Sequence, residues 1–307
     1  MTDASEEKLF GATAAIPAWA FPGLIAGNVI LAFGPWLVRI ADTGPVAAGF
    51  WRMTLSLPVL VLIALWRRQG VGHLSRGGWW LILLSGLFFA ADLGSWHFGI
   101  MRTKLANATL FGNVSSLLLP LWAAIVMRHR PRAIQAVALA LAFSGALLMM
   151  GNSYELAPQN LTGDLSCLLA GVFYTVYLLG MQKVRQSLGS WSLLALSTAA
   201  SVIPLLLFAL ALGERIMPHD WTPLLILGLS AQVIGQGMMI YALAYFTPLV
   251  VGLALLVQPA VAALVGWLAF GETLTLTDAV GALAVAIALV LVRLPERRPA
   301  TIEIAAR

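Results

Sequence analysis

The chain has 307 residues, of which 60% are hydrophobic and only 10% charged. A soluble domain averages about 45–50% apolar and about 25% charged residues, so this composition excludes an ordinary water-soluble protein and makes lipid the solvent for most of the chain. The net charge of +5 then points to basic residues gathered at one membrane face rather than to a nucleic-acid surface.

Residues 1–17 open with MTDASEEKLF, where Asp3, Glu6 and Glu7 replace the cationic start and apolar core of a cleaved signal peptide. They are expected to form a cytoplasmic segment. Apolar stretches near the length that crosses a ~30 Å hydrocarbon core then recur. The reading places ten spans: 18–41, 46–66, 79–101, 105–127, 133–151, 163–183, 191–212, 221–244, 248–270 and 277–293. A β-barrel needs alternating strands of about 10 residues, and these runs do not alternate. The fold expected is an all-α polytopic membrane protein, since helices satisfy their own backbone groups where lipid cannot.

The polar residues inside the spans are candidates for a site, taken in chain order. Span one holds Asn28 and the Gly34-Pro35 break, which with Gln258-Pro259 in span nine frees backbone carbonyls near a cavity. Span three carries Asp92 and His97 in AADLGSWHFGI. An ionisable residue at membrane depth usually faces the bundle interior or water. At about 100° per residue, Asp92 and His97 lie about 140° apart, whereas Asp92, Ser95, Trp96 and Gly99 share a face. Span four shows Thr109, Asn113, Ser116 and Pro120 along one face, suited to solute binding or to interhelical hydrogen bonds. Span six sets Tyr174, Tyr177 and Met181 at helical spacing. In span eight, Gln232, Gln236 and Met239 line one face and Met238, Tyr241 and Tyr245 roughly the opposite one. Both faces cannot look into one cavity: the tyrosines suit a ring-binding wall and the glutamines helix contacts, and the reverse assignment stays open. Cys167, the lone cysteine, excludes an internal disulfide and a cysteine zinc site.

The Lys and Arg residues assign an orientation. With the N-terminus cytoplasmic, thirteen fall inside: Lys8, Arg67, Arg68, Arg76, Arg128, Arg130, Arg132, Lys183, Arg185, Arg293, Arg297, Arg298 and Arg307. Four fall outside, Arg39, Arg102, Lys104 and Arg215, and Arg52 lies within a span. Both termini are therefore expected in the cytoplasm, the tail being 294–307. A shift of about 144 sets GLIAG (23–27) on CLLAG (167–171) and Arg39 on Lys183. A shift of 143 sets ALAFSGALLMM (140–150) on LAVAIALVLVR (283–293). Five spans per half is an odd number, so the halves 18–151 and 163–293 are expected to lie upside down relative to each other, a recurring plan of secondary transporters.

The segment ALAYFTPLVVGLALLVQPAVAALVGWLAFGETLTLTDAVGAL (242–283) resembles the EamA-type repeat of the drug/metabolite transporter superfamily, through Thr247-Pro248, Pro259, Gly271-Glu272 and Gly281-Ala282. GFWRM (49–53) is similar to the family's Arg near the start of the second span. The likeness is closest to the YddG-type aromatic amino-acid exporters. The first half departs from it, with Ser116 where the repeat has Pro and His129 where Glu is usual. The resemblance implies two inverted five-helix repeats around a central cavity in a bacterial inner membrane, moving small metabolites, many of them outward.

A free aromatic amino acid needs donors for its carboxylate, acceptors for its ammonium and an apolar wall for its ring. Asn28, Asp92, Trp96, His97, Asn113, Ser116, Tyr174, Tyr177, Gln232, Gln236, Tyr241 and Gln258 are the residues expected to supply them. The function expected is export of amino acids, aromatic ones by resemblance, by alternating access. The alternatives are export of another small solute or drug, and a channel or scaffold that transports nothing. The chain contains no H-E-x-x-H, G-x-S-x-G or P-loop motif, so no catalytic residues, metal, cofactor or nucleic-acid partner are expected. The expected partners are the solute and the bilayer, with the chain acting as a monomer.

Overall fold

A computed structural model of the chain describes residues 16–71, 74–103, 108, 111–126, 133–151, 158–270 and 276–291. Several expectations lie outside these residues. They are the N-terminal segment up to residue 15, Thr109 at the start of span four, the basic turn with His129, the Gly271-Glu272 turn and the 294–307 tail.

The described regular structure is helical. In chain order it comprises α1 (Ala20–Leu31), α2 (Gly34–Ile40), α3 (Pro45–Trp66), α4 (Arg76–Ile100), α5 (Ser115–Ile125), α6 (Ala133–Gly151), α7 (Leu161–Arg185) and α8 (Ser190–Ala211). Then follow α9 (Thr222–Leu227), a π-helical segment (Gly228–Gln236), α10 (Gly237–Ala242), α11 (Pro248–Leu255), α12 (Val257–Phe270) and α13 (Leu276–Leu291). Local chemistry sets several starts. Ser75 caps α4 by accepting from the Gly78 N–H at 3.1 Å. Prolines stand in the first turn of α2, α3, α9 and α11, where no N–H is needed.

Six helical stretches are long and apolar enough to cross a membrane: Ala20–Ile40, Pro45–Trp66, Arg76–Ile100, Pro158–Arg185, Ser190–Ala211 and Thr222–Ala242. Shorter apolar helices, Ser115–Ile125, Ala133–Gly145, Pro248–Val261 and Ala279–Ala288, fall within the other expected spans. Besides span one, which turns at Ala32–Phe33 between α1 and α2, two further expected spans are broken. Span four turns at Asn113–Val114, before α5, and span nine turns at Leu256, between α11 and α12. The outer surface is apolar: Leu65, Trp66, Trp80, Leu207 and Leu268 stand exposed, as a lipid-facing surface requires.

The contact between α3 and α8 shows how the halves meet. Glu214, just past the end of α8, accepts from the Val46 and Ala47 N–H groups at the start of α3, at 3.3 and 2.8 Å. Gln69, just past the end of α3, accepts from the Trp191 and Ser192 N–H groups at the start of α8, at 2.9 and 3.4 Å. Gln69 and Glu214, Val46 and Trp191, and Ala47 and Ser192 are each 145 positions apart. The two helices are antiparallel, and each is capped by the residue that follows the other. A helix of 22 residues separates its own two ends by roughly 33 Å, so the caps lie at opposite ends of the bundle. Any operation that exchanges the halves must therefore turn one upside down. Further pairings obey the same exchange: α4 packs on α7 and the π segment with α10 on α1, while α5 packs on α11 and α6 on α13. At the Glu214 end, Asp42 accepts from the His219 N–H at 2.7 Å, and this bond, first among its causes, holds the carboxyl below its ordinary value.

Close approach is specified by small residues. A Cβ on Gly86 of α4 would lie 2.8 Å from the Ser197 carbonyl of α8, and one on Gly27 would lie 2.9 Å from the Gly235 carbonyl. The main core gathers Leu24, Met53, Phe89, Tyr177, Leu194 and Met239, drawn from both halves.

Candidate solute cavity

Helix breaks and a π-helical turn converge on one interior space. It is a cavity of about 100 Å³, and residues of both halves line it. A water needs about 10–15 Å³ by the same measure, so the space holds several waters or one small solute. The break after α1 contributes Ala32 and Pro35, the span-four break Gly112, Asn113 and Ser115, and the span-nine break Leu255 and Gln258. The end of the π segment contributes Gln236. Irregular backbone at membrane depth is tolerated where it lines a cavity, and π turns often mark functional sites.

The lining carries the repeat. Leu31 and Tyr174, Gly112 and Leu255, and Ser115 and Gln258 are cavity residues 143 positions apart, and Asp92 and Gln236 are 144 apart. The cavity thus sits on the pseudo-twofold axis, with chemically different residues at equivalent places.

Of the residues expected from sequence, Asp92, Trp96, Asn113, Tyr174, Gln236 and Gln258 reach the cavity. Asp92 is 9% exposed. Trp96 borders Gly112, where a Cβ would lie 3.0 Å from the indole nitrogen. The Tyr174 hydroxyl donates to Gln236 Oε1 at 3.4 Å. Gln258 Nε2 donates to Asn28 Oδ1 at 2.9 Å and ties span nine to span one.

The other six do not line it. Asn28 is fully buried, donating to the Leu24 carbonyl at 2.8 Å while it accepts from Gln258. His97 points away from the Asp92 face, as the helical angle requires, and its Nδ1 lies 2.7 Å from the Pro45 carbonyl at the start of α3. Ser116 donates to the Asn113 carbonyl at 2.7 Å, and Ser115 takes the place at the cavity. Tyr177 packs under it, stacked on Phe89 at 4.3 Å, its hydroxyl accepting from Gln236 Nε2 at 3.3 Å. Gln232 lies behind the wall, accepting from Arg52 Nε at 3.2 Å and donating to Thr198 Oγ1 at 3.0 Å. Tyr241 stacks on Trp19 at 4.1 Å and lies 5.0 Å from Tyr245, with Arg185 6.0 Å from its ring. The open choice at span eight is therefore resolved in one direction. Gln236 faces the cavity, and Tyr241, five residues on and about 140° round the helix, belongs to an aromatic cluster at the far end.

Arg52 was absent from the expected site. It is 5% exposed and lines the cavity beside Phe89, its guanidinium carbon 6.0 Å from that ring. Its position inside span two carried the signal, since an intramembrane charge is as telling as Asp92. The cavity therefore offers a guanidinium, a carboxyl group, three side-chain amides from Asn113, Gln236 and Gln258, and the rings of Phe89, Trp96 and Tyr174. Arg52 from α3 and Asp92 from α4 both line this space.

An all-helical membrane bundle built as two inverted repeats around a shared polar cavity defines a transporter architecture. The model of the EamA-like transporter family matches residues 18–151 and again 161–294. The chain belongs to that family, with two copies of its repeat. An uncharacterized transporter of Archaeoglobus fulgidus is similar, 24% identical over 251 residues, which is 80% of this chain and 86% of that protein. A crystal structure at 18% identity shares the fold with a TM-score of 0.71, covering 88% of this chain and 96% of its own.

Proposed function

We propose that this protein is a YddG-type exporter that carries aromatic amino acids and related small metabolites by alternating access. In this reading the chain crosses a bacterial inner membrane ten times with both termini in the cytoplasm. The single observation that supports it most is the cavity on the pseudo-twofold axis, where a guanidinium, a carboxyl group, amides and three rings converge. A zwitterion with a flat apolar group matches that set. Rocking the two repeats about such a site would expose it to each face in turn. The Lys and Arg bias toward the Gln69 end supports the orientation.

Transport by the purified protein in liposomes tests the reading. Tryptophan and phenylalanine should cross faster than in protein-free vesicles. Trp96→Ala, Asn113→Ala and Tyr174→Ala should each slow that flux about tenfold, the effect of roughly 1.4 kcal/mol lost in binding, with unchanged protein content. Flux unaffected by all three substitutions would move the site elsewhere, and absence of any solute flux would end the transport reading.

A further inference from the structure

We infer that Arg52 is the cavity's carboxylate receptor, with Asp92 as the counter-site for an ammonium group, so that the site selects zwitterionic α-amino compounds over the corresponding amines and acids. The inference deepens the amino-acid reading and rests on it for the ligand class.

The guanidinium is held by one edge only. Its Nε donates to Gln232, which is anchored in turn on Thr198. Among the described residues, neither terminal amine of Arg52 donates to a protein group, and neither oxygen of Asp92 accepts from one. None of these atoms is among the sealed, partnerless polar atoms of the interior, so the free edges of both groups open onto the cavity they line. The two terminal amines form the flat fork that matches a carboxylate with two parallel bonds. Two charges 5% and 9% exposed are costly at membrane depth unless each finds a partner. Here both groups line one cavity with no hydrogen bond or ion pair between them, which leaves a place for a ligand head between the two.

The placement fits one ligand pose. Arg52 is the eighth residue of α3 counted from Pro45, about 10 Å in, and Asp92 is eight residues before the end of α4, about 12 Å in. Pro45 and the His97 turn meet through the His97–Pro45 contact, so both charges lie at similar depth from the same end of the bundle. A ligand head placed between them would direct its side chain toward Trp96 and Tyr174. Gln232 and Thr198 belong to the second repeat and Arg52 to the first. A carboxylate on Arg52 therefore loads a contact between the two repeats.

The experiment is equilibrium binding to the full-length protein in detergent with tryptophan, tryptamine, indole-3-propionate and leucine. The wild type should bind tryptophan at least tenfold tighter than tryptamine or indole-3-propionate. Arg52→Gln should abolish the preference for tryptophan over tryptamine, and Asp92→Asn the preference over indole-3-propionate. Arg52→Lys keeps the charge but not the fork, and should reduce the first preference several-fold. It also serves where Arg52→Gln does not fold by gel filtration and thermal melting. Leucine bound in an Arg52-dependent way while tryptophan is not would keep Arg52 as receptor and overturn the aromatic reading. Tryptophan bound with its preference intact in Arg52→Gln or Arg52→Lys would overturn the receptor and leave the aromatic reading standing. A wild type that binds no carboxylate of the panel also overturns the receptor, and flux of an amine would then show transport surviving it.

Discussion

Gln232 and Gln236 do different work one helical turn apart. Gln236 reaches the cavity and bridges the two tyrosine hydroxyls of α7, whereas Gln232 is fully buried and joins Arg52 to Thr198. Removing the Gln232 amide strands a charged donor on one side and a hydroxyl on the other. Gln232→Leu should therefore destabilise the protein by about 2–4 kcal/mol, the cost of leaving two buried polar groups unmade at about 1–3 kcal/mol each and partly regained by apolar burial. The thermal midpoint in detergent reads this, and a midpoint equal to wild type would mean Arg52 has another partner. Asp92 was legible in the sequence because a carboxylate in an apolar run has few roles. Arg52 carries the same signal, being a charge inside span two. His97 and Tyr241 could not be placed from sequence, because their partners, the Pro45 carbonyl and the Trp19 ring, are 52 and 222 positions away.

At the scale of elements, the spans and their apolar character follow from composition, but their breaks do not. Span four turns at Asn113–Val114 and span nine at Leu256, equivalent places in the two repeats, yet only the second has the adjacent Pro259 that announces a break. In span four the break precedes Pro120 by six residues or more, and the contact just after it is tertiary: Gly252 of α11 packs against the Ser116 carbonyl, where a Cβ would lie 2.9 Å away. The reciprocal caps are also tertiary, since Gln69 and Glu214 cap helices more than a hundred residues distant. Each cap satisfies two helix-start N–H groups, and losing one costs about 1 kcal/mol. Glu214→Ala and Gln69→Ala should each lower stability by about that amount, and Glu214→Gln, which retains an acceptor, by less. Chemical denaturation of the three variants checks the order. If Glu214→Ala and Glu214→Gln lose equal stability, charge rather than the hydrogen bond carries the cap.

For the whole molecule, the central fact is that the caps and the cavity answer to one pseudo-twofold axis. Fixing the axis fixes which ends of helices share a face of the bundle. Gln69 lies with Arg67 and Arg68 at one face, and Glu214 with Asp42, Arg215 and Met217 at the other. The sequence carries this inversion only faintly, through short matches at shifts of 143–144, because a buried helix accepts many apolar residues and so preserves little identity between repeats. The structure carries it more firmly, through the reciprocal caps at opposite ends of the antiparallel α3 and α8. The two faces can be told apart by chemistry applied from one side. In a Cys167→Ser background, Arg68→Cys and Met217→Cys place a thiol at each face without touching either cap. Both native side chains are exposed, so both thiols should react freely once the membrane is dissolved. In intact cells, a membrane-impermeant maleimide should label Met217→Cys and leave Arg68→Cys unlabelled. Labelling of both or of neither would contradict the inverted arrangement, and labelling of Arg68→Cys alone would keep the inversion but reverse the orientation assigned by the basic residues.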